Sequence, residues 1–225
     1  MVGDPRSTGA PDGEGVNERR FYEEPTSDAR RSAPAAARNV AAIIAVLEEW
    51  LPSHGTVLEL ASGTGEHVIA FARHFAHLAW QPSDPNRDAL ASIAAWREDG
   101  PRANLAAPVA IDARDAAWPV APVDAIVSIN MVHISPWEAA LGLLDGAARA
   151  LDPGAPLILY GPWIEQGVAT APSNLAFDAD LRARDPHWGL RAVEAFAAEA
   201  TSRGIKLVER RAMPANNLML LLRRA

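Results

Sequence analysis

At 225 residues, 49% of them hydrophobic, the chain is long enough for one full-sized domain with its own core, at roughly 100–200 residues per domain. Its 28 acidic side chains against 21 basic ones give a formal charge of -7, which disfavours a polyanionic partner such as DNA, RNA or an anionic membrane surface. With no cysteine there is no disulfide framework, no thiol nucleophile and no thiolate-held zinc or iron–sulfur cluster, so any chemistry rests on oxygen, nitrogen or a borrowed cofactor.

Residues 1–29 are rich in Gly, Pro, Ser, Asp and Glu and show no apolar periodicity, so they are expected to form a mobile tail ahead of a single domain over 30–225. The tail lacks the apolar core of a secretory signal, and no later stretch approaches the ~18 apolar residues of a membrane span; a cytoplasmic protein is expected. A lone lysine, Lys206, against 20 arginines reads as the coding bias of a GC-rich bacterial genome.

From Ser32 the pattern turns helical, with Pro34 suited to a first turn and Val40, Ile43, Ile44, Leu47, Trp50 and Leu51 at three- and four-residue spacing. A buried strand follows at 56–60, then a small-residue turn and a second amphipathic helix carrying Val68, Phe71, Ala72 and Phe75. The alternation continues with a strand at 78–81, a helix at 88–96, strands at 107–111 and 123–129, a helix at 137–151, a strand at 156–160 and a helix at 190–203 closed by Gly204. Two strands, 205–211 and 218–222, flank an Ala-Asn-Asn turn. Such alternation predicts a three-layer α/β sandwich around a largely parallel sheet.

In such sheets a ligand sits beyond the carboxyl ends of the strands, where the first strand–helix turn lies. That turn reads Glu59-Leu60-Ala61-Ser62-Gly63-Thr64-Gly65-Glu66-His67. Gly63 and Gly65 remove side chains where a ligand must come close, and the amides opening the next helix favour a negative group. A purely structural tight turn would read the same way. Asp84 follows the second strand, about 20 residues after the turn, where an acid grips ribose hydroxyls in nucleotide folds, and Asp112 follows the third strand. Either acid alone also suits a cap. A dinucleotide fingerprint fits less well, because it wants Gly or Ala where Val68 stands.

The ordered blocks ELASGTGEH, WQPSD, SINMVHISPW, LYGPW, TAPSN, FDADLRARDPHWG and MPANN resemble the methyltransferase-like twenty-six family, formerly a domain of unknown function, of class I S-adenosylmethionine-dependent methyltransferases. The resemblance runs from about Arg31 onward. It implies a Rossmann-like, seven-stranded sheet with an antiparallel last strand, and S-adenosyl-L-methionine as cofactor. It also implies that Glu59, Ala61, Gly63 and Gly65 border the amino-acid end of that cofactor, Asp84 its ribose, Asp112 its adenine and Asn130 its methionine portion. Ala61 departs from the class I pattern, which has glycine there; a positive φ would strain it.

Methyl transfer from a sulfonium mainly needs alignment in a dry pocket, worth ~7–11 kcal/mol, and a base only if the acceptor keeps its proton. His133, in the block after the fourth strand, is the candidate catalytic base, expected to titrate near neutrality; a histidine that merely ties the loop is the alternative. Tyr160, Trp163, Asn174 and Asn217, with Ser173 and Asn216, lie where acceptor specificity is usually built. Core packing for Trp163 and turn chemistry for the Asn pair are the competing readings. Arg38 and Asn39 place the first helix either over the cofactor or simply in solvent. His67, His74 and His77 lack a matching carboxylate set, so no metal is expected. Asn130 is not followed by the Pro-Pro-aromatic run of amino-adenine DNA methyltransferases. A small-molecule acceptor with an O, N or S nucleophile is therefore expected, with a cofactor-binding regulator or a nicotinamide oxidoreductase as rivals.

Overall fold

In the computed structural model, residues 29–100 and 103–225 are described, and the tail expected over 1–29 lies outside them except for Ala29. Pro34 opens α1 (Pro34–Trp50), which turns Ile43, Val46, Leu47 and Trp50 inward. Strand β1 (Thr56–Glu59) leads through the glycine turn into α2 (Glu66–His74), and β2 (Ala79–Asp84) into α3 (Arg87–Glu98). Asn86 caps α3, its side chain accepting the amides of Asp88 at 2.8 Å and Ala89 at 3.3 Å. After β3 (Val109–Ala110) come β4 (Ala125–Ile129), α4 (Trp137–Ala150) and β5 (Pro156–Gly161), the last buried at every position. The chain continues through α5 (Pro172–Arg184), α6 (Val193–Ser202), β6 (Ile205–Met213) and β7 (Asn217–Arg224).

The seven strands order as β3-β2-β1-β4-β5-β7-β6, with β7 antiparallel to both neighbours and the other pairings parallel. This is the expected Rossmann-like sandwich. One core layer packs α1, α2 and α3 on one face of the sheet, through residues such as Ile43, Phe71, Trp80 and Ile93. The other packs α4 and α6 on the opposite face, through Leu143, Leu144 and Phe196. Parallel strands covered on both faces explain the near-continuous apolar runs of β1, β4 and β5.

Several expectations change. The strand expected over 78–81 runs over Ala79–Asp84, so Asp84 is its last residue. The strand expected over 107–111 narrows to Val109–Ala110, with Leu105 adding only an isolated bridge to Trp80. The helix expected from 190 begins at Val193. Helix α5 has no counterpart in the sequence reading, because only Asn174 and Leu181 of its thirteen residues are buried and it carries no apolar stripe. The hairpin loop is three residues, Pro214–Asn216, of which Ala215 (φ 57°) and Asn216 (φ 58°) are left-handed. Strand β6 bulges between Leu207 and Glu209, and Val208 stands exposed there.

Candidate functional site

The carboxyl ends of β3, β2, β1 and β4 are neighbours in the sheet, so Asp112, Asp84, Glu59 and Asn130 form one row across its top. Serines pin the glycine turn at its centre. Ser62 Oγ and Ser83 Oγ both donate to the Glu59 carbonyl, at 3.2 and 2.9 Å, and Ser128 Oγ donates to the Leu60 carbonyl at 2.9 Å. These serines were missed from sequence, where small polar residues at strand ends pass for ordinary turn chemistry.

The two glycines do different work. Gly65 has φ +92°, and a Cβ there would sit 3.1 Å from the Ile93 backbone, so it allows α2 and α3 to close together. Gly63 has φ +56°, and a Cβ on it would meet no atom within 4 Å. Its missing side chain leaves open space above the turn. Ala61 adopts φ 59°, the strained conformation flagged from sequence. A left-handed alanine costs about 1–2 kcal/mol, of which glycine would return part to unfolded-state entropy. Ala61→Gly is therefore expected to raise stability by about 0.5–1 kcal/mol in denaturant unfolding, and a loss would show that the methyl group packs usefully.

Glu59 is buried with Oε2 unpartnered, and burial pushes its pKa up to about 8, with Asp84 adding in the same direction. Asp84 is 7% exposed; its Oδ2 accepts the Gly63 amide and its Oδ1 the Asn86 amide, both at 2.9 Å. Burial raises its pKa despite those bonds. Asp112 is instead paired with Arg114, which donates from Nε at 2.9 Å and Nη2 at 2.6 Å and holds its pKa below the usual carboxylate range. Asn130 takes φ 62°, tolerable for its short polar side chain, and its amide donates to the Tyr160 carbonyl at 2.8 Å.

His133 corrects an expectation. Its ring is fully buried with both nitrogens unpartnered, and burial, aided by the Arg191 charge, depresses its pKa to about 3 rather than leaving it near neutrality. Gly161 makes room for it, since a Cβ there would lie 2.5 Å from Nε2 and 3.3 Å from Asn130 Oδ1. Trp163 packs edge-on against His133 at 4.8 Å and against Phe196 at 5.3 Å, so it belongs to the core, its indole Nε1 unpartnered. Arg191, which the sequence did not single out, binds the loop by donating to the carbonyls of Val132 and Ser135 while lying over Trp137.

On the α1 face, burial raises the pKa of the Tyr160 hydroxyl, against the opposing influence of Asn39 and Asn217. Asn39 Oδ1 accepts from His67 Nε2 at 2.8 Å. Burial lowers the pKa of His67 to about 4, so the ring is neutral. Helix α1 is thus joined to α2 through Asn39. Asn217 Nδ2 also donates to the Pro214 and Ala215 carbonyls, and Asn174 Nδ2 to the Asn216 carbonyl at 2.8 Å, which ties α5 to the hairpin. Turn chemistry accounts for much of that pair. His74 pairs with Glu48, and no group of three or more His, Asp or Glu placed to hold a metal occurs among the described residues.

The row fits S-adenosylmethionine on three counts: the open space over Gly63, the unpartnered acid at Glu59, and a buried carboxylate at Asp84 beside the turn. Asp112 fits less directly, its carboxylate being engaged by Arg114.

A family model described as "Protein of unknown function (DUF938)" matches residues 30–224. Among solved structures, the chain is similar to the mitomycin 7-O-methyltransferase MmcR (TM-score 0.73, 16% identity, 86% of this chain and 55% of that one). It is similar to CalO1, a methyltransferase in calicheamicin biosynthesis, in its SAH-bound form (0.68, 17%, 85% and 54%). An O-methyltransferase family 2 protein from Planctomyces limnophilus in complex with apigenin is also similar (0.67, 18%, 85% and 61%). The likeness is one of fold, and the chain spans little more than half the length of these proteins.

Proposed function

The chain belongs to the DUF938 family, and from that footing we propose that it is an S-adenosylmethionine-dependent methyltransferase acting on an O, N or S nucleophile of a small molecule, of the methyltransferase-like twenty-six kind that its motifs resemble. The observation that carries this reading is the unbroken row of Asp112, Asp84, Glu59 with its glycine turn, and Asn130 on four adjacent strand ends. Bound there, the cofactor supplies a methyl group already activated on a sulfonium.

The chain's own residues then bind, orient and exclude water. Glu59, Ala61, Gly63 and Gly65 border the amino-acid end, Asp84 takes the ribose, Asp112 faces the adenine and Asn130 the methionine portion. His133 is neutral at working pH, so its role is to accept a hydrogen bond from the acceptor and orient its nucleophile. The unpartnered ring nitrogens support that role, because buried polar atoms call for a partner. Tyr160 and Asn217 border the acceptor, Trp163 sets the position of His133, and Asn174 holds the hairpin that carries Asn217. The net charge of -7 and the small molecules named with the similar structures support a small acceptor over a nucleic acid.

Calorimetric titration with S-adenosylmethionine and S-adenosylhomocysteine is expected to show 1:1 binding. Incubation of the protein, methyl-labelled cofactor and a cell extract is expected to place label in the small-molecule fraction. No binding of either compound sinks the reading; binding with no labelled product points to a cofactor-sensing regulator.

A further inference from the structure

Residues 29–33 precede α1 and run along α3, from Asp99 at its carboxyl end, to Glu66 at the amino-terminal end of α2. The Ala33 amide donates to Glu66 Oε2 at 2.6 Å and Ser32 Oγ to Glu66 Oε1 at 2.9 Å. The Arg31 amide donates to Ser92 Oγ at 2.8 Å, and the Arg31 carbonyl accepts Trp96 Nε1 at 2.9 Å. Arg31 pairs with Asp88, while Arg30 pairs with Asp99 and lies over the Trp96 ring.

Two of these anchors also hold the glycine turn. Ser92 Oγ, the acceptor for Arg31, donates onward to the Thr64 carbonyl at 2.8 Å, and Thr64 Oγ1 donates to Glu66 Oε2 at 3.1 Å. Thr64 lies between Gly63 and Gly65. Ser92 is fully buried, so its hydroxyl cannot exchange either partner for water without local opening. A shift of the turn must therefore break or re-aim bonds to residues 31–33, and undocking those residues frees Ser92 and Glu66, the two groups that hold Thr64, from their other partners.

We propose that residues 29–33 form a strap whose docking is coupled to the occupancy of the glycine turn, with Glu66 and Ser92 as the positioning residues that transmit it. The inference rests on the cofactor reading above. Coupling is reciprocal: a cofactor that prefers the docked turn holds the strap down, and a loosened strap weakens the cofactor by the same factor.

The test combines trypsin cleavage after Arg30 and Arg31, read by mass spectrometry, with calorimetric titration of S-adenosylhomocysteine on the full chain. Saturating S-adenosylhomocysteine is expected to slow cleavage at these two bonds about fivefold or more in the wild type. Glu66→Ala is expected to speed cleavage and weaken binding by about fivefold to tenfold; Glu66→Gln, which keeps one acceptor, recovers part of both. Ser92→Ala gives the same pair of changes and stands in if Glu66→Ala does not fold. Arg203→Ala, which breaks ion pairs to Asp145 and Glu199 on the opposite face, controls for general loss of stability and leaves both readouts near wild type. Faster cleavage with unchanged affinity in both Glu66→Ala and Ser92→Ala overturns the coupling alone. No binding to the wild type overturns the cofactor reading and the coupling with it.

Discussion

Asp84→Ala is expected to weaken S-adenosylhomocysteine binding at least about a hundredfold, near 3 kcal/mol, through loss of charged hydrogen bonds worth about 1.5–3 kcal/mol each. The carboxylate has two duties. It stands at the end of β2 facing the proposed ribose position, and it fastens the Gly63 and Asn86 amides, so the turn and the start of α3 share one support. Asp84→Asn keeps an acceptor but not the charge, and should fall between wild type and alanine. Calorimetry on variants whose circular dichroism matches wild type measures this. A lowered melting temperature with unchanged affinity would assign Asp84 a purely structural role.

Thermal stability is expected to peak near pH 6.5 and to fall on both sides, for identifiable reasons. Glu59 keeps its proton in the folded state up to about pH 8 but loses it near 4.5 when unfolded. Its contribution is complete below 4.5 and is lost as pH rises toward 8, an effect of about 5 kcal/mol. His67 and His133, held neutral down to about pH 4 and about pH 3, act in the opposite sense. Their contributions are complete above 6.5 and are lost as pH falls, by about 3 and 5 kcal/mol. Below 6.5 two histidines outweigh one glutamate. Melting temperatures from pH 4 to 9 test the shape, and Glu59→Gln isolates one cause: it should flatten the alkaline decline and leave the acid limb in place. An alkaline limb unchanged in Glu59→Gln would show that Glu59 is ionised in the folded protein at neutral pH.

The sheet was legible wherever burial wrote itself as a run of apolar residues, as in Val57-Leu58 or Leu157-Ile158-Leu159. Helix α5 was not legible, because a helix that buries one leucine and one asparagine leaves no periodic mark. The alignment of Asp112, Asp84, Glu59 and Asn130 along one end of the sheet was legible because each lies at or just after the end of a strand. What burial does to a side chain was not: His133 reads as a near-neutral base in sequence, and only packing beside Trp163, Gly161 and Arg191 shows it to be a very weak one. Glu66 and Ser92 were invisible for another reason, since their partners Ala33 and Arg31 lie 33 and 61 positions away.

The two outer strands bear on how the protein behaves at high concentration. Strand β3 offers only two residues, too few for another chain to pair with, and β6 lines its length with Lys206, Glu209, Arg210 and Arg211 and is interrupted by a bulge at Val208. Short, charged and bulged borders are the features that keep sheets from zipping onto one another. Growth into fibrils by strand addition is thereby disfavoured at both borders.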